Sequence, residues 1–142
     1  MQIYLAARFS EKDRMKNIRE FLEGYGHQIT STWLDEEYAP TTQLHEVTEE
    51  FKIKTAEKDI EDIMQSELIL FFSVDPTLAT VRGGRHFEAG YGYANGIPLW
   101  IVGPRENIFH YLPDVRQFDD VFEAMDAIEE EEPSDAIRKS RA

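Results

Sequence analysis

The run Glu-Leu-Ile-Leu-Phe-Phe-Ser-Val at residues 67–74 is the feature that most limits how this chain can fold. Between Leu68 and Phe72 every side chain is apolar, and no polar position alternates with them. A strand with one face in water alternates, whereas a strand buried on both faces of a parallel sheet does not. The run therefore predicts a central parallel strand that is covered by helices on both faces.

Strand-like segments alternate with helix-like segments along the chain. The strand-like segments are residues 2–6, 27–34, 67–74, 97–102 and 115–118. Between them the pattern predicts a helix capped by Ser10 and Asp13, a long helix ending near Gln65, a helix at about 85–95, and a final helix capped by Asp119. The predicted core-facing stripe of the long helix is Phe51, Ile53, Ala56, Ile60, Ile63 and Met64.

This alternation predicts an α/β fold, a flavodoxin-like or Rossmann-like three-layer sandwich with a five-stranded parallel sheet in the order 2-1-3-4-5. A chain of 142 residues has the usual size of one domain. We expect that domain to span residues 1–132, with a flexible C-terminal tail at residues 133–142.

Composition excludes several kinds of partner. Fifteen basic and 28 acidic residues give a net charge of −13, which would repel a nucleic-acid polymer. The chain has no cysteine, so disulfides and thiolate sites are excluded. The apolar stretches at 68–72 and 97–102 are far too short to cross a membrane, and Arg8 interrupts any signal-peptide pattern. We therefore expect a cytoplasmic protein with no membrane or nucleic-acid partner.

A ligand site is expected where the carboxyl ends of the strands meet. In open parallel sheets, ligands bind at that edge, next to the point where the strand order reverses. The segments gathered there are residues 6–10, 33–37, 73–88 and 103–107.

Within this edge, Gly83 and Gly84 precede a predicted helix that carries Glu88. Two glycines let backbone amides approach a ligand closely, and the start of a helix favours negative charge. Glu88 is then placed as a carboxylate nucleophile for an anomeric carbon would be. The alternative is that Glu88 only complements the helix dipole.

Three further residues have a structural and a functional interpretation. Asp59 lies beside the apolar stripe of the long helix, so it is either a hydrogen-bonded structural acid or part of a site. Asp75 directly follows the central strand, where a turn-forming role is common. Tyr4 lies in the first strand, where a core tyrosine is the usual finding.

Other enzyme classes fit the sequence less well. The four histidines have no metal-ligand spacing, and no Gly-x-Ser-x-Gly motif marks a serine hydrolase. A phospho-accepting receiver domain would need an acidic pair after the first strand, where this chain has Ala6, Ala7 and Arg8.

Four stretches together resemble the nucleoside 2-deoxyribosyltransferase-like family, which includes deoxyribosyltransferases and related (deoxy)nucleotide N-glycoside hydrolases. They are Ile-Tyr-Leu-Ala-Ala-Arg-Phe-Ser at 3–10, Glu-Lys-Asp-Ile at 57–60, Gly-Arg-His-Phe-Glu-Ala-Gly-Tyr at 84–91 and Gly-Ile-Pro-Leu at 96–99. The third is the most specific, because it resembles the family's Gly-x-x-x-Glu-x-Gly-Tyr-Ala pattern. The resemblance covers about residues 2–102.

The resemblance implies catalytic roles for four residues. Glu88 falls on the catalytic glutamate, and Tyr4 falls on a tyrosine that orients it. Asp59 falls on an aspartate near the bound nucleoside, and Asp75 lies close to an acidic position that contacts the base. No metal or organic cofactor is implied.

The resemblance also implies where the substrate binds. The loop of Ala7, Arg8, Phe9 and Ser10 occupies the place where nucleotide hydrolases hold a 5′-phosphate, although their glycine- and serine-rich version is missing here. The remaining candidates for contact with a substrate are Trp33, Gly83, Gly84 and His86, although the family assigns no role to His86. Family members are usually homo-oligomers, and Asn107, His110 and Tyr111 would be the contribution of a neighbouring subunit.

The expected function is cleavage of the N-glycosidic bond of a (deoxy)nucleoside or its 5′-monophosphate through a covalent glycosyl-glutamate intermediate. The deoxyribosyl group then passes to another base or to water. The alternative is a non-catalytic nucleotide-binding or regulatory domain on the same fold.

Overall fold

The computed structural model describes residues 1–78 and 83–131. Its five strands are all parallel and lie in the order β2-β1-β3-β4-β5, which confirms the predicted fold and strand order. The strands are β1 (Gln2–Ala6), β2 (Gln28–Ile29), β3 (Leu68–Phe72), β4 (Leu99–Val102) and β5 (Arg116–Phe118). The helices are α1 (Lys12–Gly24), α2 (Glu49–Met64), α3 (Gly84–Ala94) and α4 (Val121–Glu131). The tail predicted at residues 133–142 lies outside the described residues, so the domain boundary stays a prediction.

The helices form two layers, one on each face of the sheet. α1 and α4 share one face, where the rings of Phe21 and Phe122 meet edge to face with centroids 5.2 Å apart. Right-handed crossovers place α2 and α3 on the other face, where they contact each other. Across residues 1–78 and 83–131, no helix combines the length and apolar character that crossing a membrane demands.

Strand β3 is buried along its whole length, as its apolar sequence predicts. Helix α3 approaches it closely because Gly92 has no side chain: a Cβ atom at Gly92 would lie 2.0 Å from Cδ1 of Ile69. Gly92 is four residues after Glu88, so both lie on the same face of α3. The close contact between α3 and β3 therefore fixes how deeply Glu88 is set at the edge of the sheet.

The predicted second strand, residues 27–34, is wrong beyond Ile29. A short 3₁₀ helix occupies Thr32–Asp35 instead. The Ser31 hydroxyl accepts a hydrogen bond from Leu5 N at 2.6 Å, and Trp33 Nε1 donates to Leu5 O at 3.0 Å. The side chains of Ser31 and Trp33 thus make the hydrogen bonds to the β1 backbone that a longer second strand would otherwise make.

The predicted helix starts are shifted. Ser10 lies in a 3₁₀ turn at Phe9–Glu11, and α1 begins at Lys12 without a side-chain cap. At α4 the cap is Asp120 rather than Asp119, because the Asp120 carboxylate accepts from Glu123 N at 2.9 Å. Glu123 in turn accepts from Asp119 N at 3.0 Å, one residue before the cap, so its side chain also closes the start of the helix.

The predicted apolar stripe of α2 is also largely wrong. Only Ile63 among its members is fully buried, whereas Ile53 and Met64 are 53% and 49% exposed. The second buried residue of α2 is Asp62, which is hydrogen-bonded. Helical spacing alone does not reveal that a polar face packs inward when hydrogen bonds satisfy its acids.

Candidate active site

A cavity of about 790 Å³ opens at the carboxyl edge of the sheet, lined by the loop after β1, the segment after β2, helix α2 and the start of α3; we call it the Glu88 cavity. Its lining includes most of the predicted site residues, namely Ala7, Arg8, Phe9, Ser10, Trp33, Asp59, Gly83, Gly84 and Glu88. Glu36 and Arg85, which belong to segments expected at this edge, also line it, together with Pro40, Thr41, Thr42, Gln43 and Thr55, which the sequence did not place there. The fold therefore brings the predicted motifs from β1, α2 and α3 to one place.

Glu88 projects from α3 beyond the first helical turn, which holds no acidic residue. The dipole explanation for Glu88 is correspondingly weak, because that effect fades within the first turn. Its side chain is partly exposed to the cavity yet densely surrounded by protein. Burial, followed by the negative charge of Asp59, raises the pKa of Glu88 to about 8, while Tyr4 acts in the opposite direction.

Tyr4 is fully buried in β1, and its hydroxyl faces Glu88. Burial, then the charges of Glu88 and Asp59, raise the pKa of the phenol well above its ordinary value, so it stays a neutral donor. The hydroxyl stabilises the Glu88 carboxylate but does not reach full hydrogen-bond geometry, and it has no other partner among the described residues. Tyr4 is thus both a core residue and the candidate that orients Glu88.

Asp59 belongs to a cluster of acids that faces Glu88 across the cavity. Burial, then the charges of Glu36 and Asp62, raise the pKa of Asp59 to about 7. Burial also raises the pKa of Glu36, partly offset by Lys12. Near neutral pH, Asp59 is therefore an acid that both holds and releases a proton.

Asp62 is the structural member of this cluster. Its Oδ2 accepts hydrogen bonds from Thr32 N at 2.9 Å and from Thr32 Oγ1 at 2.5 Å, and Lys58 Nζ lies 3.3 Å from its Oδ1. Asp62 thereby ties α2 to the turn after β2. One weak signal for it is present in the sequence, a spacing of three residues from Asp59 on the same helix.

A buried lysine, Lys12, holds the backbone of the segment Glu36–Tyr38 beside the Glu88 cavity. Lys12 is 3% exposed, and its Nζ donates hydrogen bonds to the backbone oxygens of Glu36 and of Tyr38, the latter at 3.0 Å. Nζ also lies 5.3 Å from the centre of the Phe9 ring. Among the described residues no carboxylate forms an ion pair with Lys12. Burial, followed by the charge of Lys16, lowers the pKa of Lys12.

A smaller cavity of about 250 Å³, which we call the aromatic cavity, adjoins the Glu88 cavity. Six residues line both cavities, namely Phe9, Glu36, Thr42, Gln43, Thr55 and Asp59. The remaining lining of the aromatic cavity is largely apolar and comes from Tyr38, Leu44, Val47, Phe51 and Ala56, together with Lys52.

The loop after β1 offers donors at the other end of the Glu88 cavity. Arg8 Nη2 lies 3.4 Å from a carboxylate oxygen of Glu11, and Arg14 Nη1 lies 3.8 Å from the other oxygen. The Nε atom of Arg8 is buried and has no hydrogen-bond partner within the described part of the chain. Ser10 and the backbone of Gly83 and Gly84 line the same cavity.

His86, Asn107 and His110 lie away from the lining of both cavities. His86 Nε2 is 3.5 Å from Glu106, and Asn107 Nδ2 is 3.4 Å from His86 Nδ1. Glu106 N donates to His110 Nδ1 at 2.9 Å, and burial lowers the pKa of His110 to about 4, so its ring is neutral. These residues join α3 to the loop after β4, a role that the sequence did not reveal.

Two other candidates are also remote from the lining. Asp75 is exposed, and its Oδ1 accepts from Thr77 N at 2.9 Å and Thr77 Oγ1 at 2.7 Å. These bonds lower the pKa of Asp75 and give it the turn-forming role. Tyr111 is 68% exposed on the outer surface. Within one chain, neither side chain reaches the Glu88 cavity.

Trp33 lies in the 3₁₀ helix that follows the shortened β2. It is buried and lines the Glu88 cavity, and its ring centre lies 6.3 Å from that of Phe9.

Over residues 1–78 and 83–131, no group of three or more acidic or histidine side chains is arranged to hold a metal ion.

No protein-family model matches this chain, and no curated protein matches its sequence. The structure is similar to that of a 2-deoxyribosyltransferase from the psychrotolerant bacterium Bacillus psychrosaccharolyticus, with 18% identity, a TM-score of 0.67 and coverage of 87% of this chain and 90% of that one. It is also similar to the CMP N-glycosidase BcmB of Clostridium botulinum, with 17% identity, a TM-score of 0.60 and coverage of 89% and 99%. The chain therefore has the deoxyribosyltransferase fold, as the resemblance in its sequence predicts.

Proposed function

We propose that this protein is an enzyme that cleaves the N-glycosidic bond of a (deoxy)nucleoside or its 5′-monophosphate. The observation that carries the proposal is the placement of Glu88, with Tyr4 behind it and Asp59 opposite it, in the larger cavity at the ligand-binding edge of the sheet. The two similar structures support it, because one is a deoxyribosyltransferase and the other an N-glycosidase.

In the proposed reaction, a carboxylate oxygen of ionised Glu88 attacks C1′ of the sugar. The bond between C1′ and the base nitrogen breaks, and its electron pair leaves with the base. Asp59 donates a proton to the base as it departs, so that a neutral base is released. Water or a second base then attacks C1′ of the glycosyl-enzyme and frees Glu88; Asp59, now ionised, accepts the proton of the incoming group.

The protonation states set a condition on this mechanism. Attack needs ionised Glu88 and protonated Asp59, but the pKa of Glu88 is raised to about 8 and that of Asp59 to about 7. Moving one proton from Glu88 to Asp59 runs against this order of the two pKa values and therefore costs free energy. Positive charge that develops on the sugar ring next to Glu88 favours the ionised carboxylate and offsets that cost.

We infer that the 5′ end of the substrate lies at the loop of Ala7–Ser10 and that a 5′-monophosphate is accepted. The buried Nε of Arg8, which no described residue bonds, and the hydroxyl of Ser10 are donors suited to phosphate oxygens. A nucleoside without phosphate is the alternative, because Glu11 already neutralises part of the charge of Arg8.

We also propose a homo-oligomer. Ile108, Phe109 and Tyr111 are 78%, 64% and 68% exposed, and Phe87 on the neighbouring helix α3 is 61% exposed. Adjacent apolar side chains exposed to this degree are typical of a protein–protein contact. In such an assembly, Tyr111 would approach the site of a neighbouring subunit.

The test is incubation of the protein with a panel of deoxynucleosides, ribonucleosides and their 5′-monophosphates, with and without free bases, followed by chromatography. Release of free base in water indicates a hydrolase, and formation of a new nucleoside indicates a transferase. Binding without turnover of any substrate would favour the non-catalytic nucleotide-binding domain instead.

A further inference from the structure

The aromatic cavity has no task in the proposed mechanism, although it adjoins the proposed site. The Glu88 cavity alone, at about 790 Å³, falls within the size range of about 300–1,000 Å³ that holds a whole small-molecule ligand. The aromatic cavity adds about 250 Å³ beyond the wall formed by Glu36 and Asp59. It is therefore extra space on the far side of the acids.

The geometry of displacement indicates which part of the substrate points toward this space. A nucleophile attacks C1′ from the face opposite the leaving group, so the base must lie on the side of the sugar away from Glu88. Glu88, Arg8 and Ser10 line only the Glu88 cavity, whereas Asp59 lines both cavities. The base that Asp59 protonates therefore faces the aromatic cavity.

The chemistry of the cavity indicates what it holds. Phe51 and Tyr38 meet edge to face with ring centres 4.7 Å apart, and Leu44 and Val47 contribute aliphatic surface. Leu44 is 55% exposed, as expected for a side chain that gains burial only when a ligand covers it. Such a surface favours an apolar group over a phosphate or a sugar.

The wall of the cavity is also held in place. Lys12 bonds the backbone oxygens of both Glu36 and Tyr38, whose side chains line the aromatic cavity, and it lies over Phe9, which lines both cavities. Every one of these Lys12 contacts is therefore with a residue that lines the aromatic cavity. A buried charge is used to shape this cavity.

From these observations, and resting on the proposed function, we propose that the aromatic cavity is a subsite for an apolar substituent on the leaving base. The preferred substrates are then nucleosides or nucleotides whose base carries an alkyl or aryl group. A sugar with an unmodified base leaves this apolar surface uncovered.

The direct test is a set of two homologous series. One series carries alkyl chains of increasing length on the exocyclic amine of 2′-deoxyadenosine, and the other carries them at the 5-position of 2′-deoxyuridine. Each methylene buried in an apolar site is worth about a fourfold gain in kcat/KM. We expect kcat/KM to rise with chain length in at least one series until the cavity is full, and then to fall.

A variant distinguishes binding in this subsite from nonspecific hydrophobic binding. Ala56 lines the aromatic cavity but not the Glu88 cavity, and Ala56→Leu fills part of the space from an exposed helical position. We expect this variant to abolish the increase with chain length, measured as the ratio of alkylated to parent substrate. Glu57→Leu is the matched control: Glu57 is exposed on the same helix and lines neither cavity, and this variant should keep the increase.

Calorimetric titration of Glu88→Gln with the alkylated free bases makes the test independent of turnover. If affinity rises with chain length, and this rise is lost when Ala56→Leu is added, the subsite is supported. This holds even if no substrate is cleaved, and in that case only the proposed function fails. Turnover of parent nucleosides with no chain-length effect on either kcat/KM or affinity overturns the subsite and leaves the proposed function standing.

Discussion

The guanidinium of Arg85 and the carboxylate of Glu106 form a two-pronged ion pair, with both N–O distances at 2.5 Å, between the first turn of α3 and the loop after β4. Their side chains are only 2% and 5% exposed. Burial raises the pKa of Glu106, but the bonds from Arg85 and from Val74 N outweigh it and leave that pKa below its ordinary value. The pair anchors the helix that carries Glu88.

The first prediction is that Glu106→Gln strongly destabilises the fold. The change leaves the Arg85 charge buried without a counter-charge, which commonly costs about 3–5 kcal/mol. Urea denaturation measures the free energy of unfolding. Glu131→Gln is the matched control, because Glu131 pairs with Arg116 at 2.8 Å on the surface, and exposed pairs contribute at most about 1 kcal/mol. Equal losses in the two variants would contradict the prediction.

The second prediction is that Glu88→Gln abolishes turnover while ligand binding and the fold persist. The change is isosteric and removes only the nucleophilic charge, and the loss of a covalent nucleophile lowers kcat by about 10³-fold or more. A 2-fluorinated deoxyribosyl substrate should add the mass of the sugar to Glu88 in the unsubstituted protein. Near-normal kcat in the variant would remove Glu88 from the chemistry and favour the nucleotide-binding domain.

The third prediction concerns Asp59→Asn and pH. The proposed reaction needs protonated Asp59 and ionised Glu88, whose pKa values are raised to about 7 and about 8, so the rate of the wild-type protein is highest between these values and falls as pH rises above about 8. The Asp59→Asn variant loses most activity together with this alkaline limb. A pH profile of kcat/KM measures both effects, and an unchanged alkaline limb would contradict the assignment.

The same substitution has a predictable effect on stability. The folded pKa of Asp59, about 7, is raised above its ordinary value of 3.8, so its contribution to stability is present at low pH and is lost as pH rises between these values. The Asp59→Asn variant has no ionisable group at this position, so it does not lose this stability as pH rises. Thermal denaturation should therefore favour the variant over wild type increasingly from about pH 4 to about pH 7, on the order of a few kcal/mol, and by a constant amount above that. A variant that is less stable at every pH, with unchanged kinetics per folded molecule, would assign Asp59 a structural role.

The fourth prediction is that Arg8→Ala raises KM for a 5′-monophosphate by about tenfold or more, with a much smaller effect on the matching nucleoside. Losing a charge-assisted hydrogen bond commonly costs about 1.5–3 kcal/mol. Long-range repulsion from the net charge of −13 acts on the monophosphate in both proteins and cancels in the comparison. Equal effects on the two substrates would show that Arg8 has no phosphate role and would favour a nucleoside enzyme.

The fifth prediction is that Lys12→Met loosens the wall at Glu36–Tyr38 and raises the pKa of Glu36, because the Lys12 charge lowers it. Amide hydrogen exchange should quicken at residues 36–38. The pH profile should shift toward lower pH, because the Glu36 charge raises the pKa values of Asp59 and Glu88 and a more protonated Glu36 raises them less. Lys16→Met is the matched control, one turn along α1 and without a bond to the described wall. Lys12→Arg, which keeps the charge, should restore part of the profile, whereas identical exchange in both Met variants would contradict the prediction.

The elements whose packing is decided locally were predictable from the sequence. The apolar run of β3 and the Gly-rich start of α3 are each recognisable within a few residues, and with the strand order they place Glu88 and Asp59 at one edge. The shortening of β2 was not predictable, because it depends on the side chains of Ser31 and Trp33 bonding to the β1 backbone.

The buried charged residues were also hard to predict, because they too depend on hydrogen bonds between residues that are distant in the sequence. Glu36 is a surface-like acid in the sequence, and it enters the site only because Lys12, 24 residues earlier, bonds its backbone oxygen. Arg85 and Glu106 are 21 residues apart, and neither has a sequence pattern that points to the other. Hydrogen bonds over such separations determine which charged residues are buried, and helical periodicity does not predict these bonds.

The missing side chain of Gly92 decides which side of the site adapts to different ligands. With α3 pressed against Ile69, the helix that carries Glu88 can neither roll nor slide without a steric clash. The proposed nucleophile is thus held in a fixed position, and any widening of the site must come from the opposite side, where β2 is only two residues long and Lys12 holds the following segment. Attempts to broaden the range of ligands by directed evolution should therefore vary residues 36–56 and leave α3 unchanged.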